Sequence, residues 1–176
     1  MRGILQRLRA ARSGAAAVEF AMIAPVFVLI GFGLVDLGYA FHVRLCLANA
    51  TTAGALYAQA NGQNLTASDL PDYVGKVQAV VTAAATGLPQ APTVSVLFND
   101  AADAGRVGAF YCLSAAPVMW TSTGAAAASC GGNVMSGKFV TISVTANRPT
   151  LFFRLGTGTA FSALVQTSDF AMARVQ

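Results

Sequence analysis

An α+β fold follows from three features of the chain. An uncharged apolar run of membrane-spanning length lies near the N-terminus, a helical pattern without proline continues beyond it, and the second half carries alternating strand-like segments. Together they predict one long N-terminal helix, half transmembrane and half extramembrane, packed on a small, mostly antiparallel sheet with a second helix. The expected division is a basic leader over 1–14, the long helix over 15–60 with its transmembrane segment at 15–40, and an α+β domain over 61–176.

Composition agrees with a partly lipid-embedded chain. Apolar residues make up 55% of the 176 and charged residues 10%, against about 45–50% and 25% in soluble domains. The net charge of +4 is local. Arg2, Arg7, Arg9 and Arg12 all precede the first acid, Glu19, and the seven remaining basic residues equal the seven acids. No basic surface remains to suggest nucleic acid as a partner.

Residues 20–35 read FAMIAPVFVLIGFGLV without a charge. With their apolar flanks they exceed the roughly 20 residues needed to cross a bilayer. The four arginines place the N-terminus in the cytoplasm and the rest outside. Tyr39 and Phe41 then fall near the outer interface. A conventional secretory signal has a shorter apolar core, about 7–15 residues, with its small-residue cleavage site after it. Here the small residues Ser13-Gly14-Ala15 come before the run, so a conventional signal is rejected.

The helical pattern continues from Phe41 to Ala60, interrupted only by Gly54, with Leu45, Leu47, Ala48, Leu56 and Tyr57 as an apolar face. A single helix over 15–60 is roughly 70 Å long. Pro25 lacks an N–H and clashes with the carbonyl of Ala21, which predicts a kink. Asn61-Gly62 is expected to end the helix, the glycine serving as C-terminal cap. A second helix is expected over 70–86, capped by Ser68 or Asp69, with Pro71 in its first turn and Gly87 as terminator. Its apolar stripe is Val74, Val77, Val80, Val81 and Ala84.

Strands are expected at 92–98, followed by an Asn99-Asp100 turn, at 106–112, and at 139–145, where Val140, Ile142 and Val144 alternate with Thr141, Ser143 and Thr145. After Arg148-Pro149 and a Gly156–Gly158 turn, 159–174 reads as a final strand or bent pair. Residues 113–137 read as a long loop.

The chemistry-bearing residues are few. Glu19 sits just inside the apolar run, where a carboxylate costs up to about 2.5–3.5 kcal/mol at mid-membrane and less near the surface. An interfacial acid near a positive helix end is one account of it. Cleavage after Gly14 gives another. The new α-amine of Ala15, with a reference pKa near 7.7–8, is largely charged and lies one helical turn from Glu19. The two charges meet within one chain or between neighbouring chains, and an unpaired buried acid penalises every wrong register. Removing the leader also deletes four arginines whose passage through lipid would cost on the order of 10 kcal/mol.

The motif Gly14-Ala15-Ala16-Ala17-Val18-Glu19-Phe20, followed by Ala21, Pro25 and a glycine-spaced apolar run, resembles the TadE-like pseudopilins of the tight-adherence (Flp) pilus system. The resemblance covers about residues 13–60 and is vague beyond Gly62. It implies that a prepilin peptidase cuts after Gly14, that Ala15 is the new N-terminus, and that Glu19, with Phe20 beside it, serves processing or assembly. Implied partners are that peptidase, the major Flp pilin, other minor pseudopilins and the inner-membrane assembly platform. The implied location is the bacterial inner membrane, single-pass, with the C-terminal domain periplasmic. Arg174 near the end is in keeping with the family. Larger relatives carry a metal-binding von Willebrand factor-type domain, for which this chain is too short and lacks the D-x-S-x-S motif.

Cys112 and Cys130 fall outside the membrane in this topology, where disulfides persist. A bridge between them is worth about 3 kcal/mol in the chain-entropy model; two independent thiols are the alternative. Cys46 reads as a small packing residue or as the site of an intermolecular disulfide. His42 is the only histidine, which argues against histidine triads and multi-histidine metal sites. Asp100 and Asp103 lack a further ligand pattern. Gly156-Thr157-Gly158 lacks the lysine of a nucleotide loop. Trp120 reads equally as a loop contact or a core plug. No catalytic residue, metal or cofactor is expected, and the chain is not expected to be an enzyme. The leading expectation is a minor pseudopilin-like protein. Its competitors are a signal-anchored periplasmic binding module that is never processed and, weakest, a membrane-anchored hydrolase.

Overall fold

The computed structural model describes residues 13–114, 118–149 and 164–176. The expected basic leader, up to residue 12, the Gly156–Gly158 turn and the first part of the expected terminal strand lie outside these. The architecture is α+β: the described residues form a long helix α1 (Ser13–Asn61), a second helix α2 (Leu70–Ala84) and five strands in two antiparallel sheets. The chain divides into two compact units, Met1–Ala40 with Thr150–Ala163, and Phe41–Pro149 with Leu164–Gln176.

Within the first unit the described residues belong to α1. The helix continues through Pro25, whose missing N–H leaves the Ala21 carbonyl without its intrahelical donor. Large apolar side chains are exposed on every side, from Val18 and Phe20 through Phe27 and Phe32 to Leu37. The helix is long and apolar enough to be a candidate single membrane span.

The second unit is built on a three-stranded sheet. β1 (Thr93–Phe98) and the later strand β5 (Leu164–Arg174) flank the central β4 (Phe139–Pro149), both antiparallel to it. β4 reaches beyond the expected 139–145 because its partner β5 continues in register to Pro149↔Leu164. The alternation sends Val140, Ile142 and Val144 into the core beside Val96 and Phe98. The last third of α1 supplies Val43, Leu47, Ala50 and Ala58, and α2 supplies Leu70, Tyr73, Val77 and Val81.

Several expectations are corrected. α2 stops at Ala84, with Ala85 as C-cap; Gly87 follows in the left-handed region at φ 89°. Tyr73, not Val74 or Val80, fills its inner stripe, because the Tyr73 hydroxyl reaches the buried Ala58 carbonyl at 2.8 Å. Asp69 sits at the N-cap but makes no side-chain bond to the helix. Its carboxylate turns back to Thr66, whose backbone N–H donates at 3.2 Å. Gly62 is not a left-handed cap. A Cβ there would lie 2.6 Å from the Ala58 carbonyl and 2.7 Å from Val175 Cβ, so close packing against the C-terminal residues demands glycine.

The strand expected from Arg106 begins later. Residues Ala104–Arg106 form a 3₁₀ turn, capped by Asp103 accepting from Gly105 N–H at 2.9 Å, and β2 covers Phe110–Leu113. The expected loop at 113–137 contains β3 (Trp120–Gly124), which pairs antiparallel with β2. A Cys112–Cys130 disulfide, with Cα atoms 5.5 Å apart, ties the rest of that loop to this ribbon. Trp120 helps tie the ribbon to the main sheet: it packs edge-on against Tyr111 and Phe139, with ring centroids 6.1 and 5.9 Å away.

Candidate functional site

Residues Gly14, Ala15, Glu19, Phe20 and Pro25 all lie on the first turns of α1. Helix is favoured here because Ala15, Ala16 and Ala17 are strong helix formers and no breaker intervenes before Pro25. Gly14 is exposed, and nothing lies within 4 Å of a Cβ built on it. Among the described residues nothing packs on it, as is also true of Gly31, Gly33 and Gly38. Glu19 and Phe20 are exposed as well, Phe20 by 71%. Four residues of helix place Ala15 and Glu19 one turn apart on the same side. An amine created at Ala15 would lie one helical turn from Glu19, and a helix beginning at Ala15 would bring its positive end beside the acid. The arrangement can hold an ion pair and present a small residue in an accessible backbone.

Several polar groups of the second unit are held by hydrogen bonds. The Thr51 hydroxyl, on the buried side of α1, donates to Asp169 Oδ2 of β5 at 2.6 Å. Asn99 is wholly buried in the left-handed region at φ 50°. Its amide donates to the carbonyls of Arg106 and Ala109 at 2.9 and 3.0 Å, and its Oδ1 accepts from Phe139 N–H at 2.8 Å. Burial pushes the Tyr73 phenol far above its usual range, with Tyr57 adding to the effect. The Thr66 hydroxyl, and then its N–H, hold the Asp69 carboxyl below its ordinary value. His42 and Cys46 are neighbours on α1, Nε2 to Sγ 3.7 Å. Among the described residues no group of three or more His, Cys, Asp or Glu converges as a metal site.

Sequence reasoning missed the packing role of Gly54. A Cβ there would overlap Val81 Cγ2 and come within 3.1 Å of Ile142 Cδ1, so α1 is pinched between α2 and β4 at this residue. Its only sequence signal is that it is the one glycine in the otherwise unbroken stretch 41–60.

Residues 14–56 match the family model described as TadE-like protein. No curated protein matches, and no solved structure matches.

Proposed function

For a chain that is TadE-like over residues 14–56, and so tied to the Tad/Flp pilus system, we propose a role as a minor pseudopilin-like protein in pilus assembly. The chain inserts in the inner membrane through α1, with its N-terminus cytoplasmic and the second unit periplasmic. A prepilin peptidase cuts after Gly14, freeing the Ala15 amine to pair with Glu19. The shortened helix then packs with pilin helices, and the second unit contacts assembly partners or caps the filament.

One observation carries this reading. An exposed glycine on which no described residue packs stands five residues before the only acid in the first 35 residues, inside the TadE-like segment. A plain membrane anchor needs neither residue. In this reading the ion pair makes assembly depend on cleavage, since before it the acid has no charged amine one turn away.

The test is the mass of the mature N-terminus in cells with and without the cognate peptidase. Loss of residues 1–14 only when the peptidase is present is the expected result. Gly14→Val blocks trimming, whereas Glu19→Val inserts but impairs piliation. Normal piliation in both variants, or an intact N-terminus in the working protein, would leave the signal-anchored binding module as the better description.

A further inference from the structure

Beyond the membrane span, α1 still shows large apolar side chains to solvent. Phe41, Leu45 and Leu56 are exposed by 59%, 64% and 63%, and Asn49 and Thr52 between them are exposed too. At 100° per residue these five positions fall within a sector of about 80°. The Thr52 hydroxyl bonds back to the Ala48 carbonyl at 2.7 Å, which leaves its methyl as the group on offer. Asn49 is the one strongly polar side chain of the five, and none of them is charged. The core-facing side of the same segment is a different set, Val43, Leu47, Ala50 and Ala58.

We propose that this stripe is the contact surface for the same segment of a second copy of the chain, packed parallel to it. Leu45, Asn49, Thr52 and Leu56 follow one another at steps of four, three and four, the spacing of a two-helix seam. The amide of Asn49 selects the occupant. A wholly apolar partner would bury it without a hydrogen bond, at a cost of about 1–3 kcal/mol. The same residue of a second chain, met at equal height, offers it both a donor and an acceptor. One such asparagine in an otherwise apolar seam fixes register and favours a pair of chains over larger assemblies.

The area points the same way. The stripe runs about 22 Å and at most about 10 Å across, on the order of 200 Å², whereas a stable soluble complex buries roughly 800 Å² per partner. A partner from solution gains too little from so small a contact. An occupant anchored beside it in the same membrane has already given up most of its translational freedom and needs far less. Two copies held by the same span meet with residues 41–56 parallel, so Leu45 faces Leu45 and Leu56 faces Leu56 across a two-fold axis. The inference extends the proposed function and rests on its membrane anchoring, not on cleavage at Gly14.

Oxidative crosslinking of the full-length chain in native membranes tests this. In a Cys46→Ser background, Leu45→Cys and Thr52→Cys are each introduced, with Lys76→Cys, exposed on α2, as the collision control. All are exposed positions, and retention of the Cys112–Cys130 bridge confirms folding of each variant. The expected result is a species of twice the chain mass from positions 45 and 52 and none from 76. Adding Leu56→Gln to Thr52→Cys lowers its yield by roughly tenfold, the effect of losing about 1.4 kcal/mol of apolar contact. Equal crosslinking from position 76, products only with a polypeptide of another mass, or indifference to Leu56→Gln would each overturn the proposal. The N-terminal mass of the same samples reports on processing separately, so either reading can fail alone.

Discussion

Replacing Gly54 by alanine sets two effects of opposite sign against each other. In an open helix the change stabilises, by up to about 1 kcal/mol, because alanine loses less backbone freedom than glycine. In this structure the new methyl overlaps Val81 Cγ2 and presses on Ile142 Cδ1 at 3.1 Å. Both neighbours are fully buried, so neither rotates away into open space. Overpacking of a closed core costs about 1–3 kcal/mol. Taking the upper part of that range and subtracting the propensity gain leaves a net loss of about 1.5 kcal/mol. Urea unfolding of the detergent-solubilised chain, followed by the fluorescence of Trp120, measures it. At a slope of about 1.5 kcal/mol/M the midpoint falls by about 1 M. A second change sharpens the test. Val81→Ala alone opens a cavity, losing about 1.6 kcal/mol for two methyl groups plus a cavity contribution. Combined with Gly54→Ala, the added methyl occupies part of that space, so the double variant is more stable than the sum of the singles by about 1 kcal/mol or more. An alanine variant more stable than the parent, or strict additivity, would show that α1 is not pinched between α2 and β4.

Other expectations follow from the same packing. Asn99→Ala strips donors from the buried carbonyls of Arg106 and Ala109 and the acceptor from Phe139 N–H. It also puts alanine at φ 50°, and the loss expected from urea unfolding is about 3 kcal/mol or more. Asn99→Gly relieves the backbone but not the bonds, so it recovers only part. Reducing the Cys112–Cys130 bridge, whose partners are 18 residues apart, removes about 3 kcal/mol, or about 2 M urea in the same assay. Asp69, whose pKa is lowered by Thr66, contributes stability that is present above the ordinary carboxylate range and lost as pH falls through the lowered value. Thr66→Val removes the side-chain bond, and the Asp69 titration followed by NMR moves up towards its ordinary position. An unmoved midpoint would show that Thr66 is not the cause.

Local patterns made some elements legible and left others hidden. The extent of α1 to Asn61 was legible because its apolar run and its alanine-rich continuation contain no strong breaker but Pro25, through which the helix continues. β4 was legible because Val140, Ile142 and Val144 alternate with small polar residues. The stretch from Arg106 looks equally strand-like. Its start is held as a 3₁₀ turn by Asp103, and Asn99 claims the carbonyls of Arg106 and Ala109. That constraint is set by residues outside the local pattern. β3 carries no apolar alternation, since Trp-Thr-Ser-Thr-Gly forms a strand only by pairing with β2. Gly54 and Gly62 read as a tolerated weakness and a cap, while their reasons are Val81, Ile142 and Val175, far along the chain. The N-terminal motif is a matter of spacing within one helix turn, and the structure adds to it that residues 14–25 are helical.

The two parts of α1 face different demands, and this bears on how the chain is anchored. From Val18 to Leu37 large apolar side chains are exposed on every side of the helix, with phenylalanines at 20, 27 and 32 exposed by 71%, 68% and 42%. Soluble proteins rarely leave a contiguous apolar patch beyond a few hundred Å² in water. A helix apolar all round at this length is satisfied by lipid or by other apolar helices. From Val43 onward one side is committed to the sheet and α2, and burial there selects shape: Gly54 for closeness, Thr51 for its bond to Asp169. A charged residue introduced between 20 and 35 therefore opposes insertion whichever way it points. The same residue at 45 leaves the fold intact and acts only on what the exposed stripe touches. Glu19 is the exception that fits neither demand. Four residues from Ala15, at the very edge of the apolar run, it is tolerable in an inert anchor and useful only where a positive partner comes within one turn.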